Sequence, residues 1–195
     1  MPVLYFGGTF NPIHHAHLIC ARAVAEKRQF DRVVLLPSAQ PPHKSDDTRL
    51  APPADRLEMC HLATFASPFF GVDDTEISRG GPSYTIDTVR QLQRSGNDPI
   101  HWLIGADMLL YLPMWRQPLD LLREVQFVVM ARPRFAIDWS QLPAEYRRLE
   151  SQVVDAPLID ISASDIRRRI NRGLSIDYLT PPAVCDYIRT RGLYR

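Results

Sequence analysis

The apolar residues of this chain occur in short continuous runs, and these runs alternate with segments of helical spacing. The runs contain few polar positions, which is typical of strands buried on both faces of a parallel sheet. A weaker pattern at 76–79 predicts an additional strand at the edge of the sheet. The other predicted strands cover residues 3–6, 32–36, 69–72, 100–105, 126–131 and 153–160.

Between these runs, apolar residues recur every three or four positions, which predicts amphipathic helices. Ser83, Ser162 and Thr180 each precede such a segment and are the predicted N-caps, because a hydroxyl oxygen can accept a hydrogen bond from a free N–H group of the first turn. The predicted helices cover residues 16–28, 55–65, 84–94, 119–124, 145–150, 163–172 and 181–191.

The alternation of strands and helices predicts the α/β class. Strand, helix and strand follow one another within the first 37 residues, and such a βαβ unit is right-handed by default. We therefore expect a doubly wound parallel sheet. The chain has 195 residues with no visible linker or internal repeat, so residues 1–195 are predicted to form a single domain.

Composition restricts the classes of function. Hydrophobic residues make up 45% and charged residues 23%, as in ordinary globular proteins, and the net charge of +1 argues against a strongly electrostatic nucleic-acid binder. Cys20, Cys60 and Cys185 are scattered, which indicates neither a disulfide framework nor a zinc site. No signal peptide or membrane-length apolar run is visible, so a cytoplasmic location is expected.

The turn between the first strand and the first helix has the composition of an anion site. Gly7 and Gly8 end the strand and, without a Cβ, let backbone N–H groups approach a ligand. His14 and His17 share one face of the first helical turn, where the helix N-terminus favours phosphate. The combination indicates a polyphosphate site. A plain tight turn with packed or solvated histidines is the alternative.

The start of the predicted helix 163–172 also has features of an anion site. Ser162 is followed three residues later by Asp165, which resembles a capping box, and Arg167 lies one turn into the helix. These features suit a second phosphate site, although a structural cap followed by solvated arginines fits equally well.

Two other places could contribute to a site. The 38–53 loop is rich in proline and polar residues and too long for a plain connection, so it is either a functional lid or a solvated flexible loop. Asp107 follows the 100–105 strand, at the sheet edge where ligands gather, and its carboxylate could accept hydrogen bonds from ribose hydroxyls. Trp115 borders a loop and could serve the site or the core.

The segment from Gly7 to Leu18 resembles the G-G-T-F-D-P-x-H-x-G-H-L signature of the nucleotidyltransferase superfamily, and most closely that of bacterial nicotinate-nucleotide adenylyltransferases. Both histidines of the H-x-G-H element match. Asn11 stands where the family usually has aspartate, and Ala16 where it usually has glycine. Further resemblances are residues 41–44 to P-P-H-K, 83–88 to S-Y-T-x-D-T, 104–107 to I-G-x-D and 161–167 to I-S-x-[ST]-x-I-R.

The resemblance implies a Rossmann-like nucleotidyltransferase fold and a set of site residues. His14 and His17 would be the catalytic residues. The implied ATP-binding residues are Gly7, Gly8, Thr9, Phe10, His14, His17, Ser162, Ser164 and Arg167. The implied mononucleotide-binding residues are Lys44, Thr85, Gly105, Asp107 and Trp115.

The reaction implied by the resemblance is adenylyl transfer from ATP to nicotinate mononucleotide in NAD biosynthesis, giving nicotinate adenine dinucleotide and pyrophosphate. Mg²⁺ would be carried mainly by the ATP, with no protein ligand assigned. The partners would be these small molecules, with no nucleic acid and no membrane, and the oligomeric state is left open. Two alternatives stand: an adenylyltransferase acting on nicotinamide mononucleotide or phosphopantetheine, and a non-catalytic nucleotide sensor, which the departures at Asn11 and Ala16 would allow.

Overall fold

A computed structural model describes residues 2–42, 48–131 and 137–195. Its six strands form one parallel sheet in the order β3-β2-β1-β4-β5-β6. β1 lies inside the sheet with β2 on one side and β4 on the other, so the chain builds outward from β1 in two directions. The strands are β1 (Val3–Gly8), β2 (Arg32–Pro37), β3 (Phe70–Val72), β4 (Ile100–Gly105), β5 (Val125–Ala131) and β6 (Val153–Asp155).

Helices connect the strands and cover both faces of the sheet. None of the helices in the described ranges is both long and apolar enough to span a membrane. Three short 3₁₀ helices occur at Leu112–Met114, Trp139–Gln141 and Ala144–Gln152. The α-helices are α1 (His15–Lys27), α2 (Pro53–Thr64), α3 (Thr75–Arg79), α4 (Thr85–Arg94), α5 (Ala106–Leu109), α6 (Pro118–Glu124), α7 (Ala163–Asn171) and α8 (Pro182–Arg191).

The sheet divides the core into two clusters, because successive side chains of a strand point to opposite faces. In β1, Leu4 and Phe6 belong to the cluster that includes residues of α1 and α8, whereas Tyr5 belongs to the cluster that includes residues of α4 and α6. Burying one such large apolar side chain contributes about 1.5–3 kcal/mol. Burial on both faces explains why the strands occur in the sequence as largely apolar runs.

Two strand predictions are corrected. Residues 76–79 lie in helix α3, because Asp73 and Asp74 form local hydrogen bonds that start a helical turn: the Asp73 carboxylate accepts from the Thr75 N–H at 2.8 Å. The last strand ends at Asp155 instead of reaching residue 160. Pro157 has no N–H to offer a strand ladder, so the apolar residues after it do not extend the sheet.

One of the three predicted N-caps is confirmed and the other two are corrected. Ser162 is the N-cap of α7, and its Oγ accepts from the Asp165 N–H at 3.1 Å. Ser83 and Thr180 each lie one residue before the N-cap. The Ser83 Oγ accepts from the Ala39 N–H at 2.8 Å, and the Thr180 hydroxyl donates to the Ile13 carbonyl at 2.7 Å. Both hydroxyls therefore connect loops at the carboxyl edge of the sheet.

Candidate active site

A cleft of about 1440 Å³ lies at the carboxyl ends of β1 and β4. These two strands flank the point where the order of the sheet reverses, which is where ligands bind in open α/β sheets. Residues in the first turns of α1, α4 and α7, including Ala16, Thr85 and Ala163, border the cleft, so three helix N-termini face the same space. This arrangement favours a ligand with several anionic groups.

The two glycines at the end of β1 are required by packing inside the protein. A Cβ on Gly7 would stand 2.5 Å from the Trp102 ring, and one on Gly8 would stand 2.9 Å from the Phe10 ring. Phe10 adopts φ 45°, and its buried ring packs edge-on against Phe6 and His17. Of the implied ATP-binding residues, Phe10 therefore shapes the turn with its side chain, and it also borders the cleft.

The two predicted catalytic histidines form one unit. The rings of His14 and His17 stack with centroids 3.6 Å apart and planes at 19°. The His17 Nδ1 accepts from the backbone N–H of His14 at 3.3 Å, so a neutral His17 ring carries its proton on Nε2. His14 is buried and His17 half-buried, and both line the cleft. An Nε2–H group beside a helix N-terminus is a suitable donor to a phosphate oxygen.

Asn11, which departs from the family signature, has a structural function. It is 6% exposed. Its Nδ2 donates to the Arg49 carbonyl at 3.0 Å, and its Oδ1 accepts from the Ala51 N–H at 3.0 Å and from the Tyr194 hydroxyl at 2.8 Å. Its own carbonyl accepts from Arg167 Nη1 at 2.7 Å. Asn11 therefore holds four separate parts of the chain together.

The two predicted phosphate sites are joined through Arg167. One guanidinium nitrogen donates to the Asn11 carbonyl, and the other terminal nitrogen donates to the Ser164 hydroxyl at 3.2 Å. Ser162, Ser164 and Arg167 line the same cleft as His14 and His17. The serine-bearing start of α7 is thus held against the turn that follows β1.

The implied mononucleotide residues Thr85, Gly105, Asp107 and Trp115 also line this cleft, whereas Lys44 lies outside the described residues. A Cβ on Gly105 would displace the Asp107 carboxylate from its present position. The Trp115 Nε1 is buried, and no described residue accepts its hydrogen. Burying a donor without a partner costs free energy, which a ligand could recover.

Sequence reasoning missed Arg56, which is fully buried below the cleft. Its Nε donates to the Ala51 carbonyl at 2.9 Å, its Nη1 to Thr9 at 2.8 Å and its Nη2 to Ala39 at 2.9 Å. Burial lowers the pKa of this guanidinium, and the three hydrogen bonds offset the cost of desolvating it. The available signal was its spacing, three and four residues before the buried Met59 and Cys60.

Two other buried polar residues of the cleft were also missed. The Ser38 hydroxyl, in a residue 7% exposed, has no hydrogen-bond partner among the described residues. Glu76 is 4% exposed and accepts from the Thr88 hydroxyl at 2.8 Å. Burial raises the pKa of the Glu76 carboxyl, and hydrogen bonds from Thr88 and Ser83 partly oppose this. The sequence pattern marks neither position, since isolated serines and glutamates are usually exposed.

Comparison with known proteins agrees with this geometry. The family model for cytidylyltransferase-like proteins matches residues 5–169. A relative from Roseiflexus sp. (strain RS-1), named "Probable nicotinate-nucleotide adenylyltransferase", is 40% identical over 196 residues, covering 100% of this chain and 98% of its own length. One with the same name from Thermomicrobium roseum is 41% identical, covering 97% of this chain and 90% of its own length. The chain belongs to the nicotinate-nucleotide adenylyltransferase family.

A solved structure confirms the predicted nucleotidyltransferase fold. The Plasmodium falciparum nicotinic acid mononucleotide adenylyltransferase complexed with NaAD superposes with a TM-score of 0.78 at 20% identity, covering 99% of this chain and 97% of that one. The resemblance of this chain to nicotinate-nucleotide adenylyltransferases, first seen in its motifs, is thereby supported by whole-chain sequence similarity and by fold. The roles of individual residues rest on the site geometry.

Proposed function

We propose that this chain transfers the adenylyl group of ATP to nicotinate mononucleotide, releasing pyrophosphate and forming nicotinate adenine dinucleotide. One observation carries the proposal: a single cleft is lined both by the His14–His17 and Ser162–Arg167 helix starts and by Thr85, Asp107 and Trp115. Full-length relatives named for this enzyme provide the substrate class.

ATP is assigned to the two predicted phosphate sites, which are the turn between β1 and α1 and the start of α7. Backbone N–H groups of Gly7, Gly8 and Thr9 would cradle the nucleotide phosphates, and Ser162, Ser164 and Arg167 would hold the β- and γ-phosphates. The stacked histidines would donate to phosphate oxygens as negative charge moves towards pyrophosphate. In this proposal catalysis consists of positioning and charge stabilisation.

The acceptor supplies its own nucleophile. Its phosphate oxygen is anionic at neutral pH, so it attacks the α-phosphorus without a strong general base. The new P–O bond forms as the bond from the α-phosphorus to the bridging oxygen breaks, and the electron pair leaves with pyrophosphate. We assign Mg²⁺ to the ATP complex, because this ion is usually bound through substrate phosphates.

The mononucleotide half is assigned to the other side of the cleft. The start of α4 at Thr85 offers backbone N–H groups to the pyridine carboxylate, Asp107 accepts from ribose hydroxyls and Trp115 contacts the ring. The Ser38 hydroxyl, which no described residue contacts by a hydrogen bond, is a further contact that we assign to this substrate. Lys44 remains assigned to phosphate by resemblance alone.

The test is pyrophosphate release from ATP by the purified protein. Release should depend on nicotinate mononucleotide and should be much slower with nicotinamide mononucleotide or phosphopantetheine at equal concentration. Preference for one of those acceptors would replace the proposed substrate. Nucleotide binding with no release for any acceptor would favour a sensor over an enzyme.

A further inference from the structure

Tyr194 reaches the ATP side of the cleft without lining it. Its hydroxyl donates to the Asn11 Oδ1 at 2.8 Å, and Tyr194 is not among the described residues that border the cleft. Burial raises the pKa of this hydroxyl, so it remains a protonated donor at neutral pH. The residue can therefore influence a ligand only through the groups it contacts.

The segment that carries Tyr194 is firmly fixed. Gly192 ends α8 with φ 62°, and Tyr194 itself adopts φ 66°, a left-handed conformation that a residue with a Cβ keeps only when its surroundings impose it. Helix α8 is attached to α2 by two donors to the same Asp55 oxygen, the Tyr187 hydroxyl at 2.7 Å and the Arg191 Nε at 3.1 Å.

Asn11 connects this fixed segment to the site, because it contacts both Tyr194 and Arg167. Its Oδ1 receives the Tyr194 hydroxyl and the Ala51 N–H together, which fixes the orientation of the side-chain amide. Its carbonyl holds Arg167, and the chain then runs directly through Pro12 and Ile13 to His14. The bonds to its side chain oppose a shift of the Asn11 backbone, and such a shift would displace both Arg167 and the entry to the histidine pair.

We propose that Tyr194 is a positioning residue for the ATP site, acting through Asn11 on Arg167 and on the turn that precedes His14. The inference rests on the proposed function, because it takes this side of the cleft as the triphosphate site. It assigns no contact between Tyr194 and either substrate. Substitution of Tyr194 should accordingly change the affinity and the KM for ATP but not the KM for nicotinate mononucleotide.

The test compares Tyr194→Phe with a matched variant, Tyr187→Phe, which removes a hydroxyl hydrogen bond of similar length on the preceding helix α8 and leaves the bond to Asn11 intact. Binding of a non-hydrolysable ATP analogue is measured by calorimetry, and KM is measured for both substrates. Losing one hydrogen bond should weaken analogue binding and raise the ATP KM about fivefold in Tyr194→Phe. The KM for nicotinate mononucleotide should stay within about twofold. Tyr187→Phe should lower the melting temperature but leave analogue affinity unchanged.

A double-mutant cycle separates positioning from general stabilisation. In an Asn11→Ala background, Tyr194→Phe should have no further effect on analogue affinity, because the intermediary is already gone. Additive losses, or equal losses in Tyr187→Phe, would overturn the inference. If the wild-type protein binds the analogue but turns over no acceptor, the proposed reaction fails, and the calorimetric cycle still decides the role of Tyr194.

Discussion

The imidazole rings of His14 and His17 are stacked face to face, with centroids 3.6 Å apart. Two contacts stabilise the stack. The Phe10 ring packs nearly perpendicular to the His17 ring, and the His14 N–H donates to the His17 Nδ1. Removing either ring withdraws support from the other. We therefore expect the effects of the two histidines on catalysis to be strongly non-additive.

Replacing His17 with alanine should lower kcat by about two to three orders of magnitude, the usual effect of losing one donor that stabilises transition-state charge. Stability should also fall, by about 1 kcal/mol, because the His14 N–H loses its acceptor at the helix start. Steady-state kinetics and thermal unfolding measure the two effects. His15→Ala is the control, since His15 does not border the cleft among the described residues. Near-normal turnover in His17→Ala would contradict the catalytic role.

Asn11→Asp restores the residue that the family signature usually contains. In this protein the change places a carboxylate oxygen where Nδ2 now donates to the Arg49 carbonyl. Two acceptors would then face each other, and the free energy of unfolding should fall by about 1–2 kcal/mol. The rate should change less than about tenfold, and Asn11→Ala should cost more because all three side-chain bonds are lost. A rate increase of several orders of magnitude in Asn11→Asp would instead mark the natural protein as an impaired enzyme.

Ser38→Ala should have opposite effects on stability and on binding. This buried hydroxyl has no hydrogen-bond partner in the described part of the chain, so its removal should raise the free energy of unfolding by about 1 kcal/mol. If the hydroxyl contacts the mononucleotide, the KM for that substrate should rise about five- to tenfold. Chemical denaturation and substrate titration provide the two values. An unchanged KM would remove Ser38 from the site.

Glu76→Gln should change how stability depends on pH. Burial raises the pKa of the folded carboxyl, so the folded state holds its proton more tightly than the unfolded state. The stability that this group contributes is complete below its ordinary pKa and is lost as pH rises through the raised folded value. The variant should therefore gain stability relative to wild type as the pH rises above the ordinary pKa of glutamate. A stability difference that is constant across this range would contradict the shifted carboxyl.

The sequence predicted the sheet interior well because the interior strands are largely buried on both faces and mostly apolar. It failed at 76–79, where the hydrogen bonds of Asp73 and Asp74 outweigh strand propensity. For the site, the motifs located His14, Ser164 and Arg167 in one cleft. They could not locate Arg56, because its role depends on carbonyls of three separate positions, two of which, Thr9 and Ala39, lie in other loops of the chain.

The Arg56 guanidinium also has a consequence for dynamics. One rigid planar group holds the Thr9 carbonyl beside the proposed ATP site and the Ala39 carbonyl on the acceptor side. A lysine, as a point charge, could not bridge them in this way. Fluctuations of the two loops must therefore be correlated, so a nucleotide that damps the motion of one loop also damps the other. Nuclear spin relaxation at Thr9 and Ala39 should register this cooperativity, with no change in the average structure.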